Sequence, residues 1–244
     1  MNNKSLIKKV KNLPVPILPT MVGAFTLSNV YSGMGYTWIR HITAWAAIAV
    51  ILSYILKICF HFDTVKKEYS NTIPASLYAG FTMLTMILGS YFYNASPVFG
   101  KTLWFVGLIL HAIQILVFTY NNVIKNFNMQ TFVPSWFVTY NGIMVSTVVG
   151  GVMNEPLIGK IVVYYGIAVF TVIIPFMIYR LAKHEIKDPV YHTQAILLAP
   201  SSLCLVSYLN FISTPNKFII YYLYCAVICA LIFILIKLPK FFSY

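Results

Sequence analysis

Acid is what this chain has least of: five Asp and Glu in 244 residues, against 17 Lys and Arg. None of the five lies deep in an apolar run, since Asp63, Glu68, Glu155, Glu185 and Asp188 all stand in connections or at run ends. Cation and proton-coupled carriers usually place carboxylates at mid-membrane, so the scarcity argues against that class. Cysteine is also sparse. Cys59, Cys204, Cys225 and Cys229 fall inside or beside apolar runs, where thiols behave as small hydrophobes, and they form neither a disulfide framework nor a zinc spacing. The histidines give no H-E-x-x-H or H-x-x-x-H pattern, and there is no phosphate-binding loop and no G-x-S-x-G nucleophile. No metal, cofactor or enzymatic activity is therefore expected. Charged residues of both signs make up only 9% of the chain, against about a quarter in an ordinary soluble domain.

What replaces charge is hydrocarbon: 59% of the residues are hydrophobic and the mean hydropathy is +0.79. The charges leave eight long windows, and a helix needs roughly 20 apolar residues to cross a bilayer core. The windows predict an all-α integral membrane protein with about eight spans, near 16–36, 38–58, 74–93, 101–121, 134–154, 159–180, 192–212 and 217–237. Runs such as "AVICALIFILI" lack the strict alternation of transmembrane strands. Arg40 and Lys57, at the ends of the second span, are expected to reach toward the interfaces. The basic "KSLIKKVK" before an apolar stretch resembles a secretion signal, but Pro14, Pro16 and Pro19 open that stretch and no small-residue cleavage site follows. It reads as a retained first span.

Basic residues collect on alternate connections: Lys4, Lys8, Lys9 and Lys11, then Lys57, Lys66 and Lys67, then Lys125, then Arg180, Lys183 and Lys187, then Lys237 and Lys240. The positive-inside rule then predicts a multi-pass protein of the cell membrane with a cytoplasmic N-terminus. Residues 1–14 would form a basic cytoplasmic segment and 15–240 the membrane part of a single transmembrane domain. A nucleic-acid partner would require a continuous basic face, and these charges are divided among short loops.

Ser, Thr, Asn, Gln and Gly number 8, 6, 9 and 6 in the first, third, fifth and seventh spans, against 2, 5, 3 and 0 in the others. Small and hydroxyl-bearing residues belong at helix contacts inside a bundle. The pattern predicts helical hairpins, with odd helices forming an inner pore ring and even helices an outer sheath. A solid polar core is the competing reading, but each buried polar group would then need a partner. Candidate pore-lining residues are Gly23, Phe25 and Ser28 in the first span, Gly80, Phe81 and Thr85 in the third, Asn141, Gly142, Ser146 and Thr147 in the fifth, and Pro200, Ser201 and Ser202 in the seventh. Pro200 is expected to free the Ile196 carbonyl toward a pore. His111, inside the fourth span, reads as a neutral imidazole bonded to a neighbouring backbone. An uncharged path with a basic rim suits small anions.

"VPILPTMVGAFTLSNVY" at 15–31 and "TFVPSWFVTYNGIMVSTVVGG" at 131–151 resemble the tellurite-resistance/dicarboxylate transporter family, which takes in TehA-type and slow anion channels. The resemblance implies inner helices each beginning a hairpin, a pore occluded by an aromatic side chain, with Phe25 and Phe81 as candidates here, and assembly as a homotrimer. It implies transport of small anions across the lipid bilayer without a cofactor: dicarboxylate, sulfite, chloride, nitrate or a tellurite-related species. It also implies ten spans where this sequence yields eight, so the helix that carries the family's principal Phe gate has no counterpart here. The expectation is an inner ring open on one side to lipid or a neighbouring subunit. The alternatives are a membrane-embedded enzyme or assembly factor acting on a lipid-like substrate, and a truncated, nonfunctional remnant.

Overall fold

The structure is a computed structural model that describes residues 8–242. Lys4, within the basic segment 1–14, lies outside the described residues. These are helical with no strand among them. The elements are α1 (Ile17–Gly33), α2 (Thr37–Phe60), α3 (Phe62–Tyr69), α4 (Thr72–Leu77), α5 (Ala79–Tyr93), α6 (Pro97–Thr119, prolonged by a π-helical turn at Tyr120–Lys125), α7 (Trp136–Tyr140), α8 (Val145–Val149), α9 (Pro156–Lys183), α10 (Leu198–Phe211) and α11 (Lys217–Phe241). Six continuous helices are long and apolar enough to cross a membrane: Thr37–Phe60, Thr72–Tyr93, Pro97–Lys125, Pro156–Lys183, Asp188–Phe211 and Lys217–Phe241. The first expected span is α1, with 17 residues, and the fifth is not a continuous helix at all.

Turn chemistry sets these boundaries. Gly35 takes φ +97° between α1 and α2, a conformation open to glycine. Pro97 and Pro156 each stand first in their helix, where a missing N–H goes unnoticed. Asn154 ends the fifth segment in the left-handed region, and the Asn216 side chain caps α11 by accepting from the Phe218 N–H at 2.8 Å. Burial separates the third span from the eighth, but α1, expected inside, has only Leu18, Val22, Phe25 and Ser28 buried among its 17 residues. In its most apolar stretch Thr72–Tyr93 is 78% buried, whereas Lys217–Phe241 is 6% buried and presents apolar side chains outward, as a lipid-facing helix does.

The backbone forms two compact units, Met1–Gln114 and Ile115–Tyr244, with α6 running from one into the other. In the first, α1, α2 and α5 pack together. A Cβ on Gly80 would sit 2.8 Å from the Pro19 nitrogen, and one on Gly100 would sit 2.5 Å from the Tyr93 backbone. Both glycines are needed for the approach of backbone to backbone.

Lys57 corrects an expectation. It does not reach outward: its side chain is wholly buried, and Nζ donates to the Leu13 carbonyl and to both Glu68 oxygens, each at 2.8 Å. Tyr78 donates to the same carboxylate at 2.5 Å, and Tyr54 donates to the Pro14 carbonyl at 2.9 Å. This network fastens the strand of chain before α1 to the end of α2 and to α3. A buried ion is tolerable only when its partner is present.

In the second unit, Arg180 plays a similar part. Nε donates to the Met129 carbonyl at 2.8 Å, Nη1 to His184 at 2.6 Å and Nη2 to Glu185 at 3.3 Å. The guanidinium thus satisfies carbonyls at the end of α9 and in the loop before α7, as cations near helix C-termini can.

Replacing Glu68 by Gln leaves the buried Lys57 ammonium without a counter-charge. It should cost about 3 kcal/mol in unfolding free energy. Lys57→Met should cost less, because Glu68 is 26% exposed and keeps the Tyr78 hydroxyl. Thermal unfolding of the two variants in detergent micelles checks the order.

Candidate functional site

The fifth segment is broken twice. α7 gives way to a 3-10 turn at Gly142–Met144, α8 follows, and a second 3-10 turn occupies Gly150–Met153. The interruptions fall where the sequence reads Asn-Gly and Gly-Gly, residues that yield most readily to non-helical backbone. Irregular backbone at membrane depth survives only when enclosed by protein, and residues 132–147 are all buried.

Side chains hold the break in place. The Asn141 amide nitrogen donates to the Gly166 carbonyl of α9 at 3.0 Å and lies 3.7 Å from the sulfurs of Met144 and Cys204. Its Oδ1 is buried with no hydrogen-bond partner. The Met144 side chain fills the space beside Gly166 that a Cβ would need. Further along, the Thr147 hydroxyl is 2.6 Å from both the Met144 carbonyl and the Ser207 hydroxyl of α10. With one proton to give, Thr147 donates to the carbonyl and accepts from Ser207.

Beyond Thr147 the chain opens into a cavity of about 390 Å³ lined by Thr147, Val148, Gly151, Asn154, Glu155, Pro156, Asn210 and Phe211. Of the thirteen candidate residues, Thr147 alone reaches this cavity. Asn141, Gly142 and Ser146 are buried in the break above it. Ser201 and Ser202 lie in the first turn of α10 and donate to the Leu198 carbonyl at 3.1 and 2.8 Å. Pro200 does not bend a helix. A 3-10 stretch, Asp188–Leu197, precedes α10, so Pro200 falls in the first turn of the α-helix, and the Ile196 carbonyl accepts from the Leu198 N–H.

In the first unit, Phe25 is fully buried and meets Tyr91 edge to face at 6.1 Å between centroids. Ser28, on the same face, donates to the Phe25 carbonyl at 2.6 Å. Gly23 lies on the opposite face of α1 with nothing near its Cβ position. Gly80 is pressed on α1, Phe81 is half-buried, and Thr85 donates to the Phe81 carbonyl at 2.9 Å. His111, expected to bond a neighbouring backbone, meets a side chain: its Nδ1 is 2.6 Å from the Thr82 hydroxyl, which donates to the Ala79 carbonyl at 2.8 Å.

One regularity was hidden from the sequence. The hydroxyls of Ser28, Thr85, Thr147, Ser201 and Ser202 all give their protons to carbonyls three or four residues back. They present lone pairs, not donors, to their surroundings. An anion would be held only after a hydroxyl rotated off its carbonyl, an exchange worth about 1 kcal/mol. None of these five hydroxyls presents a free proton that would hold an anion tightly.

Gly166→Ala should drive a methyl into Met144 and cost about 1–3 kcal/mol by overpacking. Adding Met144→Ala should recover part of that loss if the two residues form one lock. A double-mutant thermal-unfolding cycle measures it.

Two comparisons bear on this arrangement. The family model described as SLAC1, voltage-dependent anion channel, matches residues 20–243. A tellurite resistance protein TehA homolog from Haemophilus influenzae is 22% identical over 170 residues, which cover 67% of this chain and 50% of that protein. The chain thus spans about half the length of that relative.

Proposed function

Because the chain belongs to the SLAC1 family of voltage-dependent anion channels, as its match over residues 20–243 establishes, we propose that it passes small anions across a membrane. The family match is the observation that carries this reading. The TehA homolog supports it, and so does the chemistry of the fifth segment, where an uncharged, hydroxyl-bearing backbone break leads to a polar vestibule. The protein is multi-pass, with helices suited to a bilayer.

Several finer points belong to the same proposal. The basic connections orient the N-terminus toward the cytoplasm of a plasma membrane, which puts the vestibule at Thr147, Asn154 and Glu155 on the opposite face. Residues 15–240 act as one membrane domain. The thirteen candidates line or support the path, with Thr147 at its mouth. The substrates are small inorganic anions or short dicarboxylates, and the working assembly is a homotrimer.

Passage without a strong binding site has a kinetic signature. Flux should rise with anion concentration without early saturation, and nitrate, which sheds water more readily than chloride, should move faster. Purified protein in liposomes, tested with chloride, nitrate, sulfite and malate against a potassium control, measures this. Potassium flux equal to anion flux would overturn the reading. Thr147→Val, which removes the hydroxyl and keeps the shape, should leave anion flux within about twofold of wild type, because that hydroxyl is already committed to the Met144 carbonyl and to Ser207, while the lost bonds cost about 1 kcal/mol in thermal stability.

A further inference from the structure

A second cavity in the Ile115–Tyr244 unit has the opposite chemistry. It is an apolar groove of about 500 Å³ between α9 and α11, floored by Leu197 and Ser201. α9 contributes Phe170, Ile174, Ile178, Leu181 and Ala182. The space exists because α11 presents small side chains there, Cys225, Ala226, Cys229 and Ala230.

The two ends of the groove differ. At one end the helices are pinned together: Tyr222 donates from its hydroxyl to Thr171 at 3.1 Å, and its ring lies 6.4 Å from that of Phe170. At the other end, one helical turn beyond Phe233, Lys237 stands on the same face of α11 with Nζ 5.8 Å above the Phe233 ring. Lys183 follows Ala182 directly on α9 and is exposed. Arg180 is not available to a ligand, because three backbone carbonyls occupy its guanidinium. The groove is therefore closed and apolar at one end, open and cationic at the other.

Its length is also informative. From Phe170 to Ala182 a helix rises about 18 Å, roughly three-fifths of a ~30 Å hydrocarbon core. The slot thus runs from mid-membrane to one surface. By the distribution of basic residues, that surface is the one facing Lys183, Lys187 and Lys237, the cytoplasmic leaflet. α11 is exposed along most of its length, so the groove faces lipid.

We propose that this groove is a binding site for an anionic phospholipid of the inner leaflet. One acyl chain lies between α9 and α11, and the headgroup phosphate sits between Lys183 and Lys237. A zwitterionic lipid fits the slot but brings its own quaternary ammonium to the headgroup position, where it repels the two lysines and offsets the attraction of its phosphate. An attraction of this kind, about 1 kcal/mol per basic residue near a charged surface, gives the preference its direction. The proposal rests on the chain being a membrane protein and is independent of what it conducts.

The groove thiols supply the readout. The full chain in detergent is treated with a lipophilic maleimide after addition of phosphatidylglycerol, phosphatidylcholine or soluble glycerol phosphate, and alkylation is followed by mass spectrometry at each cysteine. Cys59, exposed and outside the groove lining, is the internal control. Phosphatidylglycerol should slow alkylation of Cys225 and Cys229 at least fivefold more than phosphatidylcholine does, leaving Cys59 unchanged, with no effect of glycerol phosphate. The Lys183→Gln/Lys237→Gln double variant should lose the difference between the lipids while retaining its thermal midpoint in detergent. Ala226→Phe, which fills the slot, should remove protection by either lipid. Equal protection by both lipids in the wild-type chain would overturn the proposal. So would protection that depends on protein concentration, which would assign the groove to a second copy of the chain.

Discussion

A bilayer offers no water to an exposed peptide group, and much of this structure follows from that constraint. Where helices are regular the constraint is met internally, and they can show apolar side chains to lipid, as α11 does along its length. Where the helix first breaks, at Gly142–Met144, the backbone needs protein around it, whereas the second turn is exposed at Gly151 and Val152 beside the vestibule. Within its unit α9 and α10 supply that enclosure, through the Gly166 carbonyl, the Cys204 thiol and the Ser207 hydroxyl. The most irregular segment and the most polar composition coincide because each makes the other tolerable.

The same constraint explains why two cations turn inward. Lys57 and Arg180 stand in the last turns of α2 and α9, where carbonyls run out of helical partners. Lys57 takes the Leu13 carbonyl together with Glu68, and Arg180 takes three carbonyls without any acid. In both cases the charge is a fastening for chain that enters or leaves the membrane. Both cations are thus occupied by partners within the protein.

Composition made the helical class legible, and hydropathy windows placed the spans, because charge separates them so cleanly in a chain with 9% charged residues. The window method also concealed Lys57, since a charge that marks the end of a span is read as facing water, and Glu68, its partner, lies eleven residues on in another helix. "YNGI" and "VVGG" carried the signal for the breaks, but small residues also serve close packing, and a continuous fifth helix was the simpler reading. Nothing in the sequence marked Gly166 as the seat for Met144, because that role exists only once the broken segment is laid on α9. Hydroxyl direction was likewise hidden: a Ser or Thr in a polar span reads as a donor to a pore, whereas the local helix takes the proton first.

The two cavities of the second unit share α10, whose beginning floors the apolar groove and whose end lines the polar vestibule. That end is fixed by several contacts. Ser207 bonds Thr147, the Tyr208 hydroxyl accepts from the Asn216 N–H at 2.9 Å, and Phe211 packs where Gly159 has no side chain. The flanking helices are less constrained along the groove. α9 carries Pro175 there, which removes a backbone bond to the Thr171 carbonyl, and α11 touches α9 through Tyr222 at the closed end. The groove is already open between α9 and α11, so an occupant need not displace α10. α9 also holds the Asn141 amide through Gly166, on the vestibule side of Phe170, so the contact at Tyr222 stands between the groove and the break. A lipid in the groove can stabilise this unit while leaving the polar segment where it is.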